Sequence, residues 1–301
     1  MKKIICIGEC SLDIIFDGSD PVGAMPGGRV VNAAAILARD KFEVVMASEA
    51  STDPVGDRVV SFLASAGVDT RSVDRFTEGR TPLTVFTQTA DGELQLTRYE
   101  DYPDDCFDIV WPRVDDKTIV VFGGYYAIDR RMRGHMLPFL NHCAEMGAVL
   151  VYIPGFLPGR ESRITRVMPA ILENLELAHV VISRNRDLQV IFGVDSGDRC
   201  YADHIDFYCR SMINVDPACR MINYFSGKEV THAEIPESIC ESLMWNAGVV
   251  AGVVASIAEQ DLTPEQLDTP AADIRTRVLT AAVDSAAKAA SGLKAEWQRH
   301  R

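Results

Sequence analysis

The sequence predicts an α/β protein organised on a mainly parallel sheet, and three observations carry that prediction. Short apolar runs of strand length, Lys3–Gly8, Ile119–Gly123, Ala148–Ile153 and Ala178–Ser183, are interleaved with helical patterns such as Arg131–Met146. The 301 residues are 47% hydrophobic, enough to bury the core of one large α/β domain or two small ones. Near the carboxyl end, Pro236–Ile257 is a polar turn that opens into a helix where Ala247, Gly248, Ala251, Gly252 and Ala255 recur at helical spacing. Side chains this small let a neighbouring element approach closely, so the helix is predicted to be buried. Its amino end offers unpaired N–H groups and the positive end of the helix dipole, which suit a phosphate or a developing oxyanion.

Taken in order, Lys3–Gly8 reads as a first buried strand and Cys10–Phe16 as a second extended piece, with the acid Asp13 among apolar neighbours. Gly27 and Gly28 then permit close backbone approach before a helix predicted at Ala33–Ala38, with Asn32 placed to cap it or to offer an amide to a polyol. A Gly-Gly turn of this kind serves equally as a connection or as a site. Ser51–Asp57 leads into a helix ending at Ala66, and from Thr81 the alternation of Leu83, Val85 and Thr87, a turn at Asp91-Gly92 and a return through Leu94, Leu96 and Arg98 predict a β-hairpin. Tyr201–Met212 reads as helix, Met221–His232 as a hairpin turning at Ser226-Gly227, and Asp273–Leu293 as an Ala-rich helix.

Composition narrows the functional classes. A formal charge of −13 opposes a nucleic-acid partner, because a phosphate backbone needs a basic face. Eight cysteines without paired CxxC spacing read as buried reduced thiols. The opening MKKIICIGEC breaks at Gly8-Glu9, too short for a signal peptide or membrane span, and a cytoplasmic location is expected. His135, His142 and His179 form no metal set, and Arg130-Arg131-Met132-Arg133 reads as a solvated helix start.

Several motifs in the same order resemble the PfkB/ribokinase family of carbohydrate kinases. Gly8, Glu9 and Asp13 match its Gly-Glu-x-x-x-Asp opening, and Gly27, Gly28 and Asn32 match its Gly-Gly-x-x-x-Asn substrate signature. Asp53–Asp57 and Gly67-Val68-Asp69-Thr70 match a following helix and turn, and Trp245-Asn246-Ala247-Gly248 matches the helix of its second signature. The resemblance implies a ribokinase-like three-layer α/β/α domain spanning 1–301, with a small β-sheet lid from approximately residues 9–30 and 81–102. It implies ATP and Mg²⁺ as cofactors, phosphoryl transfer to an alcohol group of a sugar or nucleoside-like ligand, and pairing of two copies through the lid. It assigns Asp13, Gly27, Gly28, Arg29, Asn32 and Arg98 to the substrate, Cys240, Glu241, Ser242 and Leu243 to the phosphate loop, and Asn185, Gly227 and Asn246 to the nucleotide side.

Three departures fall on the phosphate side. Leu243 stands where the family has its catalytic Asp, and a leucine cannot accept a proton in a step for which a base is typically worth roughly 10²–10⁴ in rate. Leu188 replaces the Glu of the family's Lys-x-Asn-x-x-Glu segment, which organises magnesium. Ile153-Pro154-Gly155 replaces a polar Asp-Pro-Asn strand end; apart from these three, the bulk of Tyr224-Phe225 reads equally as filling the space of an adenosine or as part of a simple hairpin. Three readings stand: a sugar-like ligand binder with weak or lost kinase activity, an active kinase with Glu241 or Glu237 as a relocated base, or a structural oligomer on the same fold.

Overall fold

The structure is a computed structural model that describes residues 2–88, 94–104, 107–156, 163–240 and 244–298. Its strands are β1 (Lys3–Ile7), β2 (Ser11–Asp17), β3 (Asp20–Gly27), β4 (Glu43–Glu49), β5 (Val73–Asp74), β6 (Arg80–Gln88), β7 (Leu94–Asp101), β8 (Thr118–Gly124), β9 (Val149–Pro154), β10 (Val180–Arg184), β11 (Ser211–Asp216), β12 (Met221–Ser226) and β13 (Glu229–Glu234). The helices are α1 (Arg29–Arg39), α2 (Pro54–Ala66), α3 (Arg130–Glu145), α4 (Ile164–Leu177), α5 (Asn185–Phe192), α6 (Gly197–Cys200), α7 (Glu237–Cys240), α8 (Trp245–Glu259), α9 (Pro264–Asp268) and α10 (Ala272–Gln298).

Nine strands form the central sheet in the order β13-β12-β11-β10-β9-β8-β1-β4-β5. From β5 to β11 all neighbours run parallel, and β12 and β13 extend the edge as an antiparallel hairpin. The period-2 geometry of a strand sends alternate side chains to opposite faces. In β1, Ile4 and Cys6 accordingly enter the core under α1, α2, α8 and α10, whereas Ile5 and Ile7 enter the core under α3, α4 and α5. The architecture is thus three-layered α/β/α. A second sheet of four strands, β3-β2-β6-β7, stands apart from it and contains the expected hairpin, whose turn at Asp91-Gly92 lies outside the described residues.

The small-residue helix α8 is buried along nearly its whole length and packs on α10. A Cβ on Gly252 would lie 2.2 Å from the Ala281 carbonyl oxygen, and one on Gly248 would lie 2.6 Å from Ala286 Cα. Backbone meets backbone at both points, which is why the small residues of the two helices face one another.

Some boundaries differ from expectation. Helix α1 starts at Arg29, so Asn32 sits inside its first turn and Gly28, at φ 110°, occupies the cap. The helical stretch at Tyr201 ends at Ile205 as a wide turn, and β11 begins at Ser211, because Met212 enters one core while Ile213 and Val215 enter the other, as strand residues do. The β12–β13 hairpin turns through Gly227-Lys228, closed by the Ser226–Glu229 pair, one residue later than predicted. Of the thiols, Cys6, Cys10, Cys143, Cys200 and Cys209 are buried and free, but Cys219 is exposed in the turn before β12.

Candidate active site

The carboxyl ends of parallel strands are where open α/β sheets gather their ligands, and here they bring Glu9, Glu49, Gly124 and Arg184 to one edge of the central sheet. Over that edge, strand register in the small sheet aligns Asp13 with Thr84, and Thr84 with Arg98, so the three share one row across β2, β6 and β7. Ser11 Oγ donates to Asp13 Oδ1 at 2.9 Å, and Arg98 Nη1 donates to Thr84 Oγ1 at 3.4 Å. Burial raises the Asp13 carboxyl to about 6 despite the Ser11 and Thr84 hydrogen bonds and the Arg98 charge, which act the other way. A Cβ on Gly27 would lie 1.9 Å from Asp13 Oδ1, so this glycine is what makes room for the carboxylate. Gly28 is pinned twice, by its positive φ and by the Glu9 carbonyl oxygen 2.4 Å from where its Cβ would be.

Arg29 does not join this row. Its Nη1 and Nη2 donate to Asp187 at 2.8 and 3.1 Å, and Arg184 Nε and Nη2 donate to the same carboxylate at 2.8 and 2.7 Å. Two guanidinium forks therefore grip one carboxylate between the start of α1 and the start of α5. Burial alone would raise the Asp187 carboxyl, but the two arginines outweigh it and hold it well below the usual carboxylate range. Leu188 and Ser183 are fully buried in the core, so the charges of this segment lie on Arg184 and Asp187, which point elsewhere, and on Arg186, which is exposed. Asn32 and Asn185 each keep a buried Oδ1 without a hydrogen-bond partner among the described residues.

A third cluster escaped the sequence reading. Glu49, fully buried at the end of β4, accepts from Tyr126 Oη at 2.9 Å and from Arg131 Nη2 at 3.0 Å. Burial raises its carboxyl, with Arg131 and Tyr126 countering. Arg131 lies 4.3 Å over the Tyr102 ring, and Arg133 reaches Asn174 and Glu173, so two arginines of the run opening α3 are committed inward while Arg130 is exposed. An acid closing an otherwise apolar strand was the available signal. Glu9 completes the floor, its carboxylate accepting from the Tyr125 and Tyr126 amides at 3.4 and 3.3 Å.

The remaining candidates scatter. The Gly227 amide donates to Tyr201 Oη at 2.6 Å, and Asn246 is buried in the first turn of α8. Tyr224 and Phe225 enter opposite cores, Tyr224 donating to Ser211 Oγ and Phe225 stacking on Tyr201. Cys240 ends the short α7, and Glu241, Ser242 and Leu243 lie outside the described residues. Glu237 is 77% exposed and pairs with Arg220. For the Mg²⁺ that the fold family implies, the residues present do not fit. Both Asp187 oxygens are taken by arginines, Leu188 has no donor atom, and among the described residues no three His, Cys, Asp or Glu side chains gather as a ligand set.

A family model described as pfkB family carbohydrate kinase matches residues 1–204, and the chain belongs to that family. Its fold is that of several solved kinases. An aminoimidazole riboside kinase from Salmonella enterica, complexed with aminoimidazole riboside and an ATP analog, superposes with a TM-score of 0.78 at 14% identity over 95% of this chain and 92% of that one. A fructokinase from Xylella fastidiosa with bound ATP gives 0.74 at 17% identity over 96% and 93%. A double-mutant fructokinase from Vibrio cholerae O395 with fructose, ADP and potassium gives 0.76 at 16% identity over 95% and 90%. No curated protein matches the sequence. Among the described residues no helix is long and apolar enough to cross a membrane.

Proposed function

We propose that this pfkB-family chain binds a sugar or nucleoside-like ligand through the Asp13 row and has weak or lost phosphoryl transfer, a pseudokinase on a carbohydrate-kinase fold. The observation that carries the reading is Asp187, the carboxylate beside Leu188 at the family's metal-organising segment, clamped by Arg29 and Arg184 while Leu188 faces the core. On the substrate side, by contrast, no arginine grips the Asp13 carboxylate, which sits in the room that Gly27 leaves, with Thr84 and Arg98 in the same row. Such a row can accept from and donate to adjacent hydroxyls of a polyol. A homodimer through the small sheet belongs to the same reading. It is supported by the exposed Val22, Leu96 and Tyr99 on its strands and is testable by sedimentation.

The test is mass-spectrometric detection of phosphorylated product from the purified protein with ATP, Mg²⁺ and a panel of sugars and nucleosides. The control is the same protein carrying Glu237→Gln and Glu241→Gln. Ligand-induced stabilisation without product is the expected result. Product that vanishes in the control would instead make the chain an active kinase with a relocated carboxylate.

A further inference from the structure

The Arg29–Asp187–Arg184 clamp holds more positive charge than it neutralises. Two guanidinium groups meet one carboxylate, and all the geometry of the clamp is directed at that carboxylate from two different elements, α1 and the β10–α5 junction. Each guanidinium has five N–H donors, of which two reach Asp187, leaving three on each arginine with no acceptor among the described residues. The exposures are uneven in a telling direction: Asp187 is 7% exposed, but Arg29 and Arg184 keep 25% and 27%. The carboxylate is covered more fully than either arginine that grips it. Glu9, the other acid that acts on Arg29, is engaged by the Tyr125 and Tyr126 amides. Asn32, 7% exposed with an unpartnered Oδ1, lies on the first turn of α1 beside Arg29, and Asn185, with another, directly follows Arg184.

From this geometry we propose that Arg29 and Arg184, fixed in place by Asp187, form a metal-independent site for a phosphate group of the bound ligand. Paired arginines match phosphate oxygens with planar forks, and rigid preorientation by a shared carboxylate removes much of the cost of ordering them. The site supplies through guanidinium groups the positive charge that the residues here do not supply by holding a divalent cation. The proposal rests on the weak-transfer reading of the same edge, but it concerns binding and is tested without turnover.

The experiment is isothermal titration of the full chain with ADP, first in EDTA and then with excess Mg²⁺, with inorganic phosphate and a hexose phosphate as further probes. ADP affinity is expected to agree within about threefold with and without metal. Arg184→Gln should weaken it by about tenfold or more, and Arg184→Lys, which keeps the charge and loses the fork, should fall between. Thermal melts of both variants identify any that are unfolded, and the metal comparison needs no variant at all. Competition of ADP with inorganic phosphate assigns the phosphate to a nucleotide, and binding of the hexose phosphate alone assigns it to a phosphorylated sugar; each supports the site. Binding that appears only with Mg²⁺, an unchanged affinity in folded Arg184→Gln, or no binding of any probe overturns it. Phosphorylated product in the turnover assay would defeat the weak-transfer reading and leave metal-free binding to be judged separately.

Discussion

The two halves of the site handle a carboxylate withdrawn from solvent in opposite ways. Asp13 is half-buried without a direct arginine fork, supported by a serine and a threonine hydroxyl, and its carboxyl is pushed up to about 6. Asp187 is buried between two arginines and held well below the usual range. A carboxylate left under-compensated keeps lone pairs for an incoming hydroxyl, whereas one saturated by four charge-assisted hydrogen bonds has none left for a metal or a water. On the proposed reading, that difference leaves the first as a ligand acceptor and makes the second part of the scaffold that fixes the two arginines.

The sharpest way to break the comparison is to remove each acid and compare the signs. Asp187→Ala leaves two buried guanidinium groups facing each other, and urea denaturation at pH 8 should show a loss of roughly 3–5 kcal/mol. Because its folded carboxyl lies below the unfolded value, that stabilisation is present above about pH 4 and is lost as the pH falls through the folded value. A loss under about 1 kcal/mol would mean the clamp is a surface ion pair in disguise. Next in size is Gly252→Val, which forces side-chain atoms onto the Ala281 carbonyl. It should cost roughly 1–3 kcal/mol or more by the same measurement, with ligand binding at the Asp13 row unchanged in the folded fraction.

Much of this was legible in the sequence because the relevant rules are local. Strand length and alternation set the parallel sheet, and the Gly248 and Gly252 spacing announced a close helix contact that α10 supplies. The motifs at Asp13, Gly27 and Gly28 likewise fell where the chain brings them together. What escaped was pairing at long range. Nothing in the order of residues says that Arg29 reaches Asp187, 158 positions away, or that the arginine at 131 turns inward to Glu49. The helix boundary at Arg29 mattered for the same reason: moving the start of α1 away from Ala33 turned Asn32 from a cap into a buried, unpartnered amide.

A smaller effect tests Asp13 by pH. Its folded carboxyl is raised above the unfolded value of 3.8 to about 6, so the native state binds the extra proton and folding stability declines as the pH rises through that interval. Asp13→Asn should therefore be more stable than the parent at pH 8, with the advantage disappearing below about pH 4, where both forms are neutral. Sugar or nucleoside affinity should show the reverse, strengthening in the parent through pH 6 and becoming flat in Asp13→Asn. Parallel melts and titrations across pH 4–8 check both, and a pH-independent difference in stability would place Asp13 in solvent.

The smallest expected effect is also the most informative about the phosphate side. Leu243→Asp places a carboxylate at the position that the resemblance assigns to the family's base, and in an otherwise assembled site a base is worth roughly 10²–10⁴ in rate. Here the substitution acts alone, because Leu188 still faces the core and Asp187 still holds its two arginines. Contributions of groups that act as a unit are not additive, so a base without its phosphate-ordering partners should raise product formation by less than about tenfold. Product measured by mass spectrometry under saturating ATP and Mg²⁺ decides it. Turnover in the ordinary kinase range of roughly 1–100 s⁻¹ would mean that the arginine clamp already does the work of the missing metal set, and that the base position alone separated this chain from catalysis.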